Sequence, residues 1–209
     1  MLEYTHLSIF VGMNFIVYIA IHFPLDFKTY QYHKKKPSRV EKENPPEWNS
    51  KTIMIITLFP TAYLWLLFLI VPFTGFLDQQ TFYNILLEIE PINTFLQLIG
   101  LLLIAISTIV ACFGRISRGD RAISWGIPIK LEIKGMYRFI RHPLYASYCY
   151  YFLGFSLIFQ SLLIFPLLIG IYGYYKTSIY EESLLVNYFG NKYEKYQKNT
   201  GRFLPRVKK

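Results

Sequence analysis

Four stretches of the sequence contain no Lys, Arg, Asp or Glu: residues 7–23, 53–73, 92–113 and 144–175. A helix that crosses the hydrocarbon core of a bilayer needs about 20 apolar residues, with a range of about 17–25. The first three stretches each fit one span. Leu7–Phe23 is interrupted by Asn14 and His22, Ile53–Phe73 by Pro60, and Ile92–Phe113 has no charge. A proline inside a membrane helix is tolerated. The fourth, Leu144–Tyr175, is too long for one ordinary span. Extended to Pro143 and Ile179, it divides into two short spans that turn at Gln160 and Ser161. The predicted fold is an all-α integral membrane protein of five transmembrane helices, with the fourth and fifth in a tight hairpin.

The charges test that count. Seven basic residues fall between 24 and 52, seven between 114 and 142, and eight between 176 and 209, which is the whole supply of 22. The first six residues, the segment 74–91 and the hairpin turn hold none. With five spans every Lys and Arg lies on one side. The positive-inside rule then puts the N-terminus outside and the C-terminus in the cytoplasm. Four spans would strand the last eight on the wrong side. The first helix is expected to be retained, because Met1–Leu7 lacks the positive start of a cleaved signal. The basic run Lys34-Lys35-Lys36 reads first as a topology determinant, and it can also sit on anionic headgroups.

The net charge of +9 therefore has a membrane explanation. Nucleic acid is excluded as a partner: only 17% of residues are charged and 53% are hydrophobic. Cys112 and Cys149 lie in apolar runs and read as buried thiols. His6, His22, His33 and His142 are scattered, so no metal cluster is expected. No phosphate loop or His-Glu-x-x-His motif occurs. The chain reads as one membrane domain, 1–209. Residues 1–113 form a three-helix part, and 114–209 carry the chemistry.

Two basic-side stretches hold the chemical signal. The first is Gly135-Met-Tyr137-Arg-Phe-Ile-Arg141-His142-Pro143-Leu144-Tyr145. Pro143 suits the first turn of a helix and biases His142 away from helical geometry. Arg141 and His142 are thus held at a helix entrance, where free N–H groups favour an anion. The second stretch runs from Glu181-Glu182 through Leu184, Leu185, Tyr188, Phe189 and Gly190 to Tyr193 and Tyr196, and closes on Gly201-Arg202-x-x-Pro205. Its apolar residues recur at helical spacing, and Gly190 suits a helix stop. Glu181, just past the fifth span, invites a cationic partner.

This pairing of Gly-x-Tyr-x-x-x-Arg-His-Pro-x-Tyr with Glu-Glu-x-x-Leu-x-x-x-Phe-Gly-x-x-Tyr-x-x-Tyr resembles the isoprenylcysteine carboxyl methyltransferases, relatives of the membrane phospholipid methyltransferases. The likeness is greatest to archaeal five-helix members and is strong over about 129–207. It implies S-adenosyl-L-methionine as cofactor, S-adenosyl-L-homocysteine as product, and a cofactor region in the cytoplasmic C-terminal half. By position, the cofactor contacts fall on Ile129, Lys130, Leu131, Glu132, Tyr137, His142, Pro143, Leu144, Tyr145 and Glu181. A helix entrance suits the cofactor carboxylate. Glu181 and tyrosine faces suit its ammonium and sulfonium.

The chain departs from this pattern at two places. Ile129 stands where the family often has His. Thr177, with Lys176 beside it, stands where carboxyl-methylating members have Arg. Lys is not equivalent to a bidentate Arg, so the substrate contacts fall on Lys176, Thr177 and Arg141 without a firm carboxylate clamp. No residue stands out as an isolated general base. The first functional reading is a methyltransferase for a lipophilic, bilayer-held acceptor, of the isoprenylcysteine carboxyl type. The alternative is N-, O- or S-methylation of a phospholipid or other lipid. An NADPH-dependent sterol-type reductase, which shares Arg-His-Pro-x-Tyr, and a non-catalytic scaffold rank lower. The expected partners are membrane lipids and the lipophilic substrate. The membrane is the plasma or inner membrane in a prokaryote, or the endoplasmic reticulum in a eukaryote.

Overall fold

A computed structural model describes residues 2–35, 51–74, 93–119 and 130–206. All elements among them are helical: α1 (Tyr4–Lys35), α2 (Lys51–Thr74), α3 (Thr94–Arg118), α4 (Pro143–Phe159), α5 (Ile169–Phe189) and α6 (Asn191–Asn199), with single 3-10 turns at Gly135–Arg138 and Phe165–Leu168. α1, α2 and α3 are each long and apolar enough to cross a membrane. Their outer faces show large apolar side chains, including Phe73, Phe95 and Leu102, each more than half exposed. A water-soluble monomer does not carry such a surface. This is a membrane protein.

The helices outrun the charge-free stretches that predicted them. α1 continues twelve residues past Phe23, and α3 five past Phe113. Backbone hydrogen bonding does not stop at the edge of an apolar window, and Asp26, Thr29 and Arg115 bind one another in these extensions. At its other end α3 begins at Thr94, where the Asn93 side chain accepts from the amides of Phe95 and Leu96. Ile92 lies outside the described residues.

Neighbouring helices alternate in direction. Phe15 stacks on Phe68 and Tyr18 meets Trp65, so α1 and α2 run antiparallel. Ser107 donates to the Ser147 carbonyl and Gln97 to that of Ile158, so α3 and α4 do too. Tyr148 stacks on Tyr174, and Phe152 packs beside Gly170, which sets α4 against α5 in the same way. Between these two, Gln160 adopts a left-handed backbone at φ 44° and its side-chain amide binds the Asn93 backbone. The reversal begins at the predicted Gln160-Ser161 but extends through Leu168.

Close approaches fix the register. A Cβ on Gly154 would come 2.8 Å from Ile104 Cγ1 and 3.0 Å from the Gly100 carbonyl oxygen. Small residues at such contacts let membrane helices meet backbone to backbone. On α2, Pro60 leaves the Ile56 carbonyl without its helical donor. Gly173 of α5 packs there, where a Cβ would lie 2.8 Å from that oxygen. Gly154→Val is expected to force α3 and α4 apart at a cost of about 1–3 kcal/mol, seen as a lower unfolding midpoint in detergent. An unchanged midpoint would contradict this packing. The core between the helices is aromatic: Phe68 meets Tyr151 and Phe155 edge-on, both at 5.1 Å.

Candidate functional site

The end of the bundle at which α3 and α5 finish and α4 begins carries both motif stretches. The connection from Lys130 to His142 is pinned three times. The Ser117 hydroxyl, on the last turn of α3, accepts the Met136 amide at 3.0 Å. The Tyr196 hydroxyl of α6 donates to the Tyr137 carbonyl at 2.6 Å. The Arg141 and His142 amides donate to the Gly201 and Arg202 carbonyls at 2.8 and 3.1 Å. The last pair forms a short parallel bridge between the helix entrance and the tail beyond α6. Leu131 closes a satellite core with Leu185 and Tyr193.

Glu182 sits at the centre. Its side chain is 4% exposed. Oε1 accepts from Arg141 Nε at 2.9 Å and faces His142 Nε2 at 3.1 Å. Arg202 reaches both oxygens, at 3.2 and 2.7 Å, and Gln197 donates to Oε2 at 2.9 Å. Arg141 also donates to the backbone carbonyls of Gln197 and Thr200. This charged clasp joins three separate pieces of chain. A buried carboxylate is tolerated when it is so fully paired.

Glu181 is different. Its side chain is 38% exposed, and Oε2 lies 3.5 Å from His142 Nδ1. The Tyr145 phenol faces it too, and each acts on the other's ionisation. His142 thus stands between two carboxylates, one saturated and one open. The Tyr145 ring lies parallel to the imidazole, with centroids 5.4 Å apart. Burial alone would lower the pKa of His142, but hydrogen bonds and charge from Glu181 and Glu182 raise it above the ordinary 6.5. Burial alone would raise the two carboxylates. The His142 hydrogen bond instead holds Glu181 low, and His142, Arg202 and Arg141 hold Glu182 well below its ordinary 4.5.

The sign of the pH dependence follows. A raised histidine stabilises the fold fully below pH 6.5 and loses this as pH rises through its folded value. Depressed carboxylates stabilise above pH 4.5 and lose this as pH falls. The clasp is expected to contribute most between about pH 4.5 and 6.5. Unfolding midpoints measured from pH 4 to 9 should fall on both sides of that window. A midpoint still rising from pH 7 to 9 would contradict it.

The sequence-predicted residues separate into groups. His142, Tyr145 and Glu181 come together directly. Tyr137 faces the same charges, since Glu181, Glu132 and Arg118 all act on its phenol. Pro143 is buried, and it opens α4, whose first turn has no side-chain cap. The amides of Leu144 and Tyr145 in that turn have no helical acceptor. Leu131 is buried, Lys130 is exposed, and Glu132 Oε1 accepts the Lys134 amide at 3.0 Å. Ile129 lies outside the described residues. Arg141 has the clasp as its partners, not an open helix entrance. Thr177 is buried, donates to the Gly173 carbonyl and lies 3.5 Å from the Thr57 hydroxyl. Lys176 places its ammonium over the Tyr172 ring at 5.4 Å.

Sequence reasoning did not single out Gln197 or Arg118, and it gave Arg202 no partner. The Gly-Arg-x-x-Pro ending marked Arg202 as a motif residue, but nothing local showed which carboxylate it meets. Among the described residues no group of three or more His, Cys, Asp or Glu is placed to hold a metal.

Residues 95–192 match the phospholipid methyltransferase family. The family match covers α3, α4, α5 and the entrance between them. The chain is similar to a protein-S-isoprenylcysteine O-methyltransferase of Tribolium castaneum, 37% identical over 81 residues, which cover 36% of this chain and 27% of that protein. It is also similar to a methanethiol S-methyltransferase of Pseudomonas deceptionensis, 36% identical over 74 residues, covering 35% of this chain and 28% of that one. The matched region thus spans about a quarter of the length of these curated relatives.

Proposed function

Because residues 95–192 match the phospholipid methyltransferase family, we propose that this chain is an S-adenosylmethionine-dependent methyltransferase acting on a lipophilic acceptor held in the bilayer. The observation that carries this reading is the open carboxylate of Glu181 beside His142 and Tyr145, at the uncapped start of α4. That donor set fits the cofactor. Glu181 suits an ammonium, the Leu144 and Tyr145 amides suit a carboxylate, and the faces of Tyr137 and Tyr145 suit a sulfonium. Leu131 and Lys130 would flank its adenosyl part.

When bound, the cofactor supplies an electrophilic methyl group. The residues of this chain bind and align. His142, held between two carboxylates, fixes Glu181 in place. The clasp on Glu182 holds the entrance of α4 against the tail. Alignment of this kind supplies much of the rate of a displacement between two held partners. Five alternating spans, with the N-terminus outside and the clasp in the cytoplasm, would let a water-soluble donor meet an acceptor arriving from the lipid.

Isoprenylcysteine carboxyl methylation is the first acceptor assignment, from the motif and from the Tribolium relative. A second, a thiol or amine on a lipophilic body, has a specific observation in its favour. Where a guanidinium would hold a carboxylate, Thr177 packs on Thr57, and Lys176 is turned onto Tyr172. The methanethiol relative fits this second class. Calorimetry on the detergent-purified full chain tests the main reading. S-adenosylhomocysteine is expected to bind at one site per chain and NADPH not at all. Folded protein that ignores S-adenosylhomocysteine would refute it.

A further inference from the structure

Beyond Arg202 the tail continues as Phe203-Leu204-Pro205, which the clasp does not use. The chain folds back sharply here. A Cβ on Gly201 would come 1.8 Å from the Leu204 carbonyl oxygen, so only glycine fits. Three successive carbonyls of this strap are paired from the entrance and first turns of α4. Gly201 and Arg202 accept from the Arg141 and His142 amides, and Phe203 accepts from the Tyr150 hydroxyl. Pro205 brings no amide. A segment that lies in lipid must have its backbone groups satisfied by protein. The Phe203 ring meets the His142 imidazole edge-on at 6.4 Å. Leu204, next to it, is 66% exposed.

The packing of α4 on α3 sets the depth of the strap. Pro143 lies level with Gly114, where an added Cβ would come 3.1 Å from its ring, and Ser147 lies level with Ser107. Between these levels α3 shows Ile109 and Phe113 to the outside, each more than half exposed. α3 is long and apolar enough to cross a membrane, so this stretch faces lipid. Tyr150 follows Ser147 by three residues, and side chains lean toward the N-terminus of their helix. Its hydroxyl therefore holds the Phe203 carbonyl near the level of Ile109 and Phe113. The strap thus lies beside α4 at a depth where the neighbouring surface is apolar. Charges follow at once. Arg206 donates to the Lys198 carbonyl, and Lys208 and Lys209 come next in the sequence. An apolar tip flanked by basic residues is the pattern of a segment seated at a membrane surface.

We propose that the Phe203-Leu204 strap is a lipid anchor. Leu204 enters the boundary between headgroups and acyl chains of the leaflet on the basic side, and this contact helps to hold the Glu182 clasp closed. Arg202 is the link. It binds both oxygens of Glu182 and lies over the Tyr175 ring at 5.2 Å, immediately before the anchor. Moving Leu204 into water would forfeit the burial of a large apolar side chain, so the lipid opposes any motion that lifts the strap and Arg202 from α4. The bilayer is then a surface on which the clasp closes, as well as the medium of the helices. This anchoring goes beyond the methyltransferase reading and does not depend on it.

The test uses the full chain in nanodiscs of phosphatidylcholine and phosphatidylglycerol. Cys112 and Cys149 are buried, so a nitroxide label goes onto an introduced cysteine. Leu204→Cys is compared with Ile109→Cys as the lipid reference and with Lys195→Cys, on the exposed side of α6, as the water reference. The label on Leu204→Cys is expected to relax more with oxygen than with a water-soluble nickel chelate, as on Ile109→Cys. A label that behaves as on Lys195→Cys overturns the anchor. So does line broadening between labels on two chains, which would put a second copy against Leu204. Attachment of the tail is read by proteolysis beyond α6. Leu204→Asp is expected to be cleaved at least ~10-fold faster than the wild type in nanodiscs, and Leu204→Ile at the wild-type rate. Leu204 is exposed, so both variants should keep the wild-type helical content. A wild-type cleavage rate in Leu204→Asp overturns the link between lipid and clasp.

Discussion

Glu182→Ala is expected to destabilise the folded protein by about 3–5 kcal/mol, the range for breaking a buried ion pair by removing one partner. The carboxylate is almost fully buried and receives Arg141, Arg202, Gln197 and the His142 ring. Its loss leaves two guanidiniums and an imidazole with no counter-charge at the same point. The bundle itself is held by aromatic packing and by the glycine contacts between α3 and α4, so the apolar helices should persist. What should be lost is attachment of the tail. Limited proteolysis is the measurement: cleavage beyond α6 should speed up strongly while the helices stay intact. Glu182→Gln, which keeps size and some hydrogen bonds, should lie between. A wild-type cleavage rate in the alanine variant would remove the clasp from the account.

Glu181→Gln, one residue away, is expected to do the reverse. Its carboxylate is partly exposed, lies beside His142 and is acted on by Tyr145 and Arg118. Removing its charge takes away one of the groups that act on His142, so the unfolding midpoint should fall, but far less than in Glu182→Ala. A charged hydrogen bond contributes roughly 1.5–3 kcal/mol. S-adenosylhomocysteine should therefore bind about 10- to 100-fold more weakly to the variant in calorimetry. Equal affinity in the two proteins would mean that Glu181 does not meet the cofactor. The two adjacent glutamates thus give opposite expected patterns, one in stability and one in affinity.

The helical architecture was legible because lipid imposes a simple rule: charges are excluded from the hydrocarbon. That rule marks where a helix is apolar, not where it ends. It therefore missed the polar last turns of α1 and α3, where Asp26, Thr29 and Arg115 meet. In the site, His142 and Glu181 were readable because a proline-led helix entrance and a carboxylate past a span are local features. The partner of Arg141 was not. The Arg141–Glu182 contact crosses 41 residues and the Arg141–Thr200 contact 59. No spacing within either stretch reports on it.

The clasp also has a consequence for biosynthesis. Its members are made in three instalments, with Arg141 and His142 first, Glu182 next, and Gln197 and Arg202 last. A ribosome delivers chain from the N-terminus onward. Arg141 and His142 must therefore wait for their shared carboxylate until α5 has been made. Non-local closure of this kind is slow compared with helix formation. The clasp should therefore close last, so a nascent chain stalled before Arg202 would hold its helices but lack the finished clasp.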